Sequence, residues 1–214
     1  FGLRGIIEIC GLSKKTITVN DIAFKIGPRI NASGRMMNGK EAVDLMLASD
    51  MTQAREKAIN IDKYNEDRRE LDKRITDEAV DFVDNRFNIA EHKSIVLYNE
   101  TWHKGIIGIV ASRLTEKYYR PAIVLTKSGG LISGSARSVN NFDVYKAIEA
   151  CKDILENFGG HTYAAGLTLK EENLQEFMRR FDEISFEGIE SKMMQPQITV
   201  DAEISLNAIT PKFV

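Results

Sequence analysis

The sequence predicts an α/β protein in which a mainly parallel, helix-covered sheet follows one long connecting helix. Two observations carry that reading. A helical pattern free of glycine and proline runs from Thr52 to about Phe87, and beyond Ser94 short apolar strands alternate with amphipathic stretches. Composition agrees, since 43% hydrophobic and 28% charged residues in 214 positions is the balance of a globular protein long enough for two compact units.

The first stretch, to about Asp50, opens with a short helix from Leu3 to Cys10 and passes through a turn to Ala23-Phe24-Lys25-Ile26. Gly27-Pro28 is expected to break any regular element there, because proline has no amide donor. Lys40 to Ser49 reads as a helix with Ala42, Val43, Leu45, Met46 and Leu47 on its apolar face. Thr52 then caps the long helix. Its apolar residues Ala54, Ala58, Ile61, Leu71, Ile75, Ala79, Phe82 and Val83 recur by threes and fours, while Asn65 to Glu70 is wholly polar. A helix with apolar ends and a wet middle suits a connector between two bodies, and at 1.5 Å per residue it would span roughly 50 Å. Two ordinary helices with a poorly marked turn would fit the same pattern.

The unit that follows has strands expected at Ser94–Tyr98, Pro121–Thr126, Gly130–Ala136 and Ala165–Leu169, and helices at Ile106–Tyr118, Asp143–Glu156 and Glu171–Asp182. A last strand, Gln197–Ile204, follows the Pro196 break and begins a further unit. There is no internal repeat and no low-complexity tract. The chain opens on Phe1-Gly2-Leu3-Arg4 without an initiator methionine, and both of its ends read as cut edges of something larger. A removed purification tag would explain the first edge equally well.

No stretch approaches membrane-span length, so no membrane partner is expected, and no basic-then-apolar signal segment opens the chain. Cys10 and Cys151 lack metal-type spacing and suggest no disulfide framework, which makes a reducing, cytoplasmic setting the expected one. The formal net charge of −2 neither supports nor excludes nucleic-acid binding, because affinity follows local clusters of Arg and Lys.

His92, His103 and His161 lie far apart, with no His-x-x-x-His pair and no Asp-His-His run, so a complete two-metal site cannot be assembled from this sequence. Ser-His-Asp, P-loop and dinucleotide fingerprints are also missing. Three segments instead have the composition of phosphate cradles. In Phe158-Gly159-Gly160-His161-Thr162-Tyr163-Ala164-Ala165-Gly166, paired glycines would expose backbone N–H groups beside a histidine, although a plain tight turn reads the same way. In Ser133-Gly134-Ser135-Ala136-Arg137-Ser138, a guanidinium framed by hydroxyls can hold a phosphate bidentately, and a solvated loop arginine is the alternative. In Gly27 to Arg35, Arg29 and Arg35 flank Asn31 and Ser33, and either arginine could equally fasten the loop to a neighbouring domain. Trp102-His103-Lys104-Gly105 precedes a helix N-terminus that could attract an anion, unless Trp102 only caps the core and His103 bonds locally. Tyr163 and Phe142 are candidates to stack on bases, with core packing an equal explanation for each.

In order and in character these segments resemble one family, the RecJ-type exonucleases, which degrade single-stranded DNA from the 5′ end. The carrying residues are Gly27-Pro28-Arg29-Ile30-Asn31-Ala32-Ser33-Gly34-Arg35-Met36, Trp102 to Leu114, Gly134 to Ser138, and Phe158 to Gly166. Gly-Gly-His-x-x-Ala-Ala-Gly on its own indicates only the wider DHH phosphoesterase superfamily. Ser33 and Ile106 are small departures, standing where alanine and valine are common. The resemblance implies the end of a DHH domain over residues 1–50, the connecting helix over 51–90, a DHH-associated α/β domain over 91–190, and the start of an oligonucleotide-binding (OB) β domain over 195–214.

It further implies that metal-binding motifs lie in an N-terminal DHH domain that this sequence lacks. No metal or other cofactor is then expected on this chain, and Mn2+ or Mg2+ is expected in the full-length enzyme. By the same resemblance His161 has a catalytic place near the scissile phosphate, and Arg29, Asn31, Arg35, His103, Ser135, Arg137, Ser138, Gly159 and Gly160 contact DNA phosphates. The implied partners are single-stranded DNA and the DHH domain, in a monomer acting in DNA repair and recombination and inactive as this piece alone. A nano-RNase or cyclic-dinucleotide phosphodiesterase is the alternative within the superfamily, though neither Gly27–Arg35 nor the long connector is expected there. A non-catalytic single-strand-binding module is the alternative outside it.

Overall fold

A computed structural model describes residues 1–198, 200–211 and 213. Its first part packs α1 (Gly2–Ile9), α3 (Gly27–Met36) and α4 (Lys40–Met46) against the first half of α5 (Met51–Arg86), while the short α2 (Val19–Asp21) leads into the turn before α3. Ile6, Leu12, Ile26, Leu45, Ala54, Ala58 and Ile61 form its core. The long helix is continuous over 36 residues, and Asp50 rather than the expected Thr52 caps it, by accepting the Gln53 amide at 2.8 Å.

Gly27-Pro28 does not break the chain into a loop. Residues Ile22–Ile26 form a π-turn in which the Gly27 amide donates to Ile22, and α3 follows without interruption. The wider turn makes room for the proline ring and its missing donor, so the expected phosphate loop is a helix. The polar middle of α5 is not wholly wet either. Asn65 and Asp72 are buried there, Asp72 holding Arg113 of the next domain through two bonds of 3.0 and 2.8 Å.

The second part is a five-stranded sheet of β1 (Ile95–Tyr98), β2 (Ala122–Ser128), β3 (Leu131–Arg137), β4 (Asn157–His161) and β5 (Ala164–Leu169), in the order β1-β2-β3-β5-β4. It is mixed rather than mainly parallel. Only β1 and β2 run parallel, joined by the crossover helix α6 (Ile107–Tyr118), and the other three pairings are antiparallel. Hairpins cause the difference. Gly129 and Gly130, at φ +61° and +81°, form the two-residue loop between Ser128 and Leu131, a left-handed pair that glycine adopts readily. Thr162-Tyr163 is the loop of the β4–β5 hairpin, so Phe158 to His161 is a strand and not a turn.

One sheet face packs on α7 (Val144–Glu149) and α8 (Leu174–Gly188). Burying a side chain such as Phe177 or Phe181 there contributes about 1.5–3 kcal/mol. Helix α7 ends seven residues short of the expected Glu156, with a 3-10 turn at Lys152–Ile154 leading into β4. The opposite face is covered by α6 and the second half of α5, but only over β1, β2 and part of β3. No helix among the described residues is long and apolar enough to cross a membrane. The strand expected at Gln197–Ile204 does not form among the described residues; Thr199 lies outside them, and the described tail has only a 3-10 turn at Leu206–Ala208. A single strand has no partner to satisfy its backbone groups, so nothing here supports the start of an OB domain.

Candidate nucleic-acid interface

The uncovered half of the sheet is written into alternate residues of three strands. Opposed residues on neighbouring strands share a face, and the pairing gives three rows on the α6 side. Ser133, Thr168 and Asn157 form one row, Ser135, Gly166 and Gly159 the next, and Arg137, Ala164 and His161 the third. The intervening residues Ile132, Ala136, Ala165, Leu167 and Phe158 enter the core. The exposed face is thus small and hydroxylic at its centre, with a cation and a histidine along one end.

The facing wall comes from the C-terminal end of α3 and from Trp102 to Gly108. Trp102 is buried and donates its indole N–H to Glu78 of α5 at 2.8 Å, which fixes the loop to the connector. Gly105 lies so close to α3 that a Cβ would collide with the Arg35 carbonyl, and Arg35 Nη1 returns a bond to the Gly105 oxygen at 3.2 Å. Between wall and sheet lies a cleft of about 820 Å³.

Among the described residues its lining contains Arg35, Lys104 and Arg137 and no aspartate or glutamate, although the whole chain carries a net charge of −2. Arg137 is half-buried, with Nη1 donating to Ser135 Oγ at 3.1 Å and to the Ala136 carbonyl at 2.7 Å. Burial, and next the charge of Arg35, hold its pKa below the usual arginine value. A guanidinium so placed gains from any anion that enters. Gly108, in the first turn of α6, brings its backbone against Ser135 and Arg137, adding the positive end of that helix.

Both histidines near the cleft are set as donors by the same local device. The Gly105 amide donates to His103 Nδ1 at 3.1 Å and the Tyr163 amide to His161 Nδ1 at 3.2 Å, which leaves Nε2 carrying the proton on each ring. Gly160, at φ +150°, is required by the hairpin, since a Cβ would strike the Ala164 carbonyl and Ala165.

The structure therefore brings Arg35, His103, Ser135, Arg137 and Gly159 to the cleft lining, with His161 at the end of the same sheet face. Four expected contacts do not line the cleft. Arg29 is paired with Asp62 of α5 at 2.7 Å, Asn31 is exposed on α3 away from the lining, and the Ser138 hydroxyl donates to the Phe142 carbonyl at 2.7 Å. Gly160 shapes the hairpin rather than lining the cleft, and Phe142 is a core residue at 6% exposure. Lys104, Gly108, Ser133, Asn157, Gly166 and Thr168 join the lining. The period-two run of small and polar residues on β3, β4 and β5 is the signal that could have found most of them. No three His, Cys, Asp or Glu side chains among the described residues are placed to hold a metal, and a lining of cations and hydroxyls does not fit a divalent ion.

Residues 91–185 match the DHHA1 domain family. The chain is 35% identical over 211 residues to the single-stranded-DNA-specific exonuclease RecJ of Bacillus subtilis, covering 98% of this chain and 27% of that protein. It is 33% identical over 213 residues to RecJ of Haemophilus influenzae, covering 96% and 37% respectively. Among solved structures, RecJ from Thermus thermophilus in complex with Mn2+ superposes with a TM-score of 0.76 at 30% identity, over 87% of this chain and 27% of that one. The Mg2+ complex of the same protein matches at the same TM-score. The chain spans about a quarter to two fifths of the length of these relatives. Similarity runs through Gly27–Arg35 and the connector as well as the sheet, which favours this reading over the shorter-substrate phosphodiesterases and over a lone binding module. The chain thus carries a DHHA1 domain and is similar along nearly its whole length to one segment of the RecJ exonucleases.

Proposed function

We propose that this chain supplies the DNA-gripping wall of a 5′-to-3′ exonuclease that hydrolyses single-stranded DNA in repair and recombination. In this reading the strand backbone lies in the cleft with its 5′ phosphate at Arg35, Ser135 and Arg137, and the longer protein is a cytoplasmic monomer. The divalent metals, Mn2+ or Mg2+, sit on the N-terminal DHH domain across the cleft and supply the activation of water there, so this piece alone does not cut. The chain's own residues bind and orient. Arg137 and Arg35 pair with phosphate oxygens, Ser135 fixes the Arg137 plane, and the Nε2–H of His161 donates to a phosphate oxygen two strands further along, where charge builds in the transition state.

The observation that carries the proposal is the half-buried Arg137 in a cleft lined by cations and no carboxylate. Its test is fluorescence-anisotropy binding of short single strands with and without a 5′ phosphate across a salt series. The expected result is preference for the phosphorylated strand, weakening with salt, and loss of that preference in Arg137→Ala. Equal binding of both strands by the unaltered chain and by Arg137→Ala would remove the phosphate role.

A further inference from the structure

The end of the open sheet face carries an aromatic ring that the fold exposes on a hydrogen-bonded hairpin tip. Tyr163 is 51% exposed, while Phe142 is in the core and Phe158 of β4 packs against Tyr145. Two backbone bonds and one from backbone to side chain fix the tip that bears it. The Ser138 amide donates to the Tyr163 carbonyl at 3.0 Å, the Val144 amide to the Thr162 carbonyl at 3.1 Å, and the Tyr163 amide to His161 Nδ1 at 3.2 Å. The Thr162 hydroxyl adds a longer contact to Asp143 at 3.4 Å, and Asp143 is itself occupied in capping α7 through the Lys146 amide. The Tyr163 ring stands edge-on to His161 with centroids 6.5 Å apart, which places it beside the row that runs from Arg137 through Ala164 to His161. Two strand spacings separate the ends of that row, roughly 10 Å. A short piece of nucleic-acid backbone bridges such a distance.

We propose that Tyr163 is the stacking platform for an unpaired base of the strand whose phosphate is held at Arg137. The inference rests on the reading of the cleft as a single-strand site. A rigid exposed ring loses little conformational freedom on binding, and every base has a π face to offer it, so the platform grips without reading sequence. The tyrosine thus divides the recognition. Arginines at one end of the row take the charge, and the ring at the other end takes the base.

The probe is a set of 5′-phosphorylated single strands that differ only in the position of one abasic residue. Affinities would be compared for the unaltered chain, Tyr163→Ala, Tyr163→Phe and Arg137→Ala, with melting curves to confirm that each folds. We expect one abasic position to weaken binding by the unaltered chain roughly 5- to 150-fold. Tyr163→Ala should bind the intact strand as weakly as that abasic strand and cease to distinguish the two, while Tyr163→Phe retains the difference. If Arg137→Ala weakens phosphorylated strands but Tyr163→Ala still discriminates against the abasic residue, the stacking role is overturned and the cleft reading stands. If neither substitution changes binding, both are overturned.

Discussion

Gly108→Ala tests the phosphate seat by filling it. Gly108 is the second residue of α6, and a Cβ built there lies 2.9 Å from Ser135 Oγ and 3.2 Å from Arg137 Nη2. The first distance is closer than side-chain carbons normally come, so the hydroxyl must turn away and the guanidinium must shift by a few tenths of an ångström. The bond at risk is the 3.1 Å contact from Arg137 to Ser135. A hydrogen bond involving a charged group is worth about 1.5–3 kcal/mol, so affinity for a 5′-phosphorylated strand should fall roughly 10- to 150-fold. Stability should change less, because alanine is up to about 1 kcal/mol more favourable than glycine in a helix and offsets part of the lost bond. The assay pairs thermal melting with anisotropy titration of phosphorylated and unphosphorylated strands. A variant that melts near the parent temperature and loses phosphate preference supports the geometry. One that melts normally and keeps full preference refutes the assignment of this corner to the phosphate.

The junction of connector and sheet gives a second expectation. Asp72 is 4% exposed and accepts two bonds from Arg113, with Arg68 Nη1 at 3.9 Å and Arg68 Nε buried without a partner. Asp72→Ala should cost about 2–4 kcal/mol in a urea titration, less than a fully buried pair because Arg113 stays half exposed; a loss below about 0.5 kcal/mol would mean the pair does not hold the two parts together. A third concerns acid. Arg179, and next Arg180, hold the Glu176 carboxyl down to about 2 from the usual 4.5. A depressed carboxyl stabilises the fold above its ordinary value and stops doing so as pH falls from about 4.5 through about 2. The melting temperature of the parent chain should fall over that window and that of Glu176→Gln should fall less, whereas parallel curves would contradict the coupling.

The elements with local signals are legible from the residues alone. Periodicity marks α5 and α6, apolar runs mark β1 and β2, and small residues beside arginine mark β3 as a candidate wall of the cleft. Some local signals were present but outvoted. Gly129-Gly130 is a hairpin loop that makes the sheet mixed, and alternation in Asn157, Gly159 and His161 is a strand that the paired glycines made look like a turn. The task of each cation, by contrast, was set by packing. Arg29, Arg35 and Arg137 have the same chemistry and similar small neighbours in sequence. Asp62 comes from a helix turn 33 residues away and takes Arg29, while Arg35 and Arg137, 102 residues apart by their numbers, meet where no acid lies. Pairing energy depends on distance and burial, and neither is a property of the residue or its neighbours in sequence. The packing of α3 onto α5 and onto Gly105 sets both, and so separates the arginine paired with an acid from the two that line the cleft.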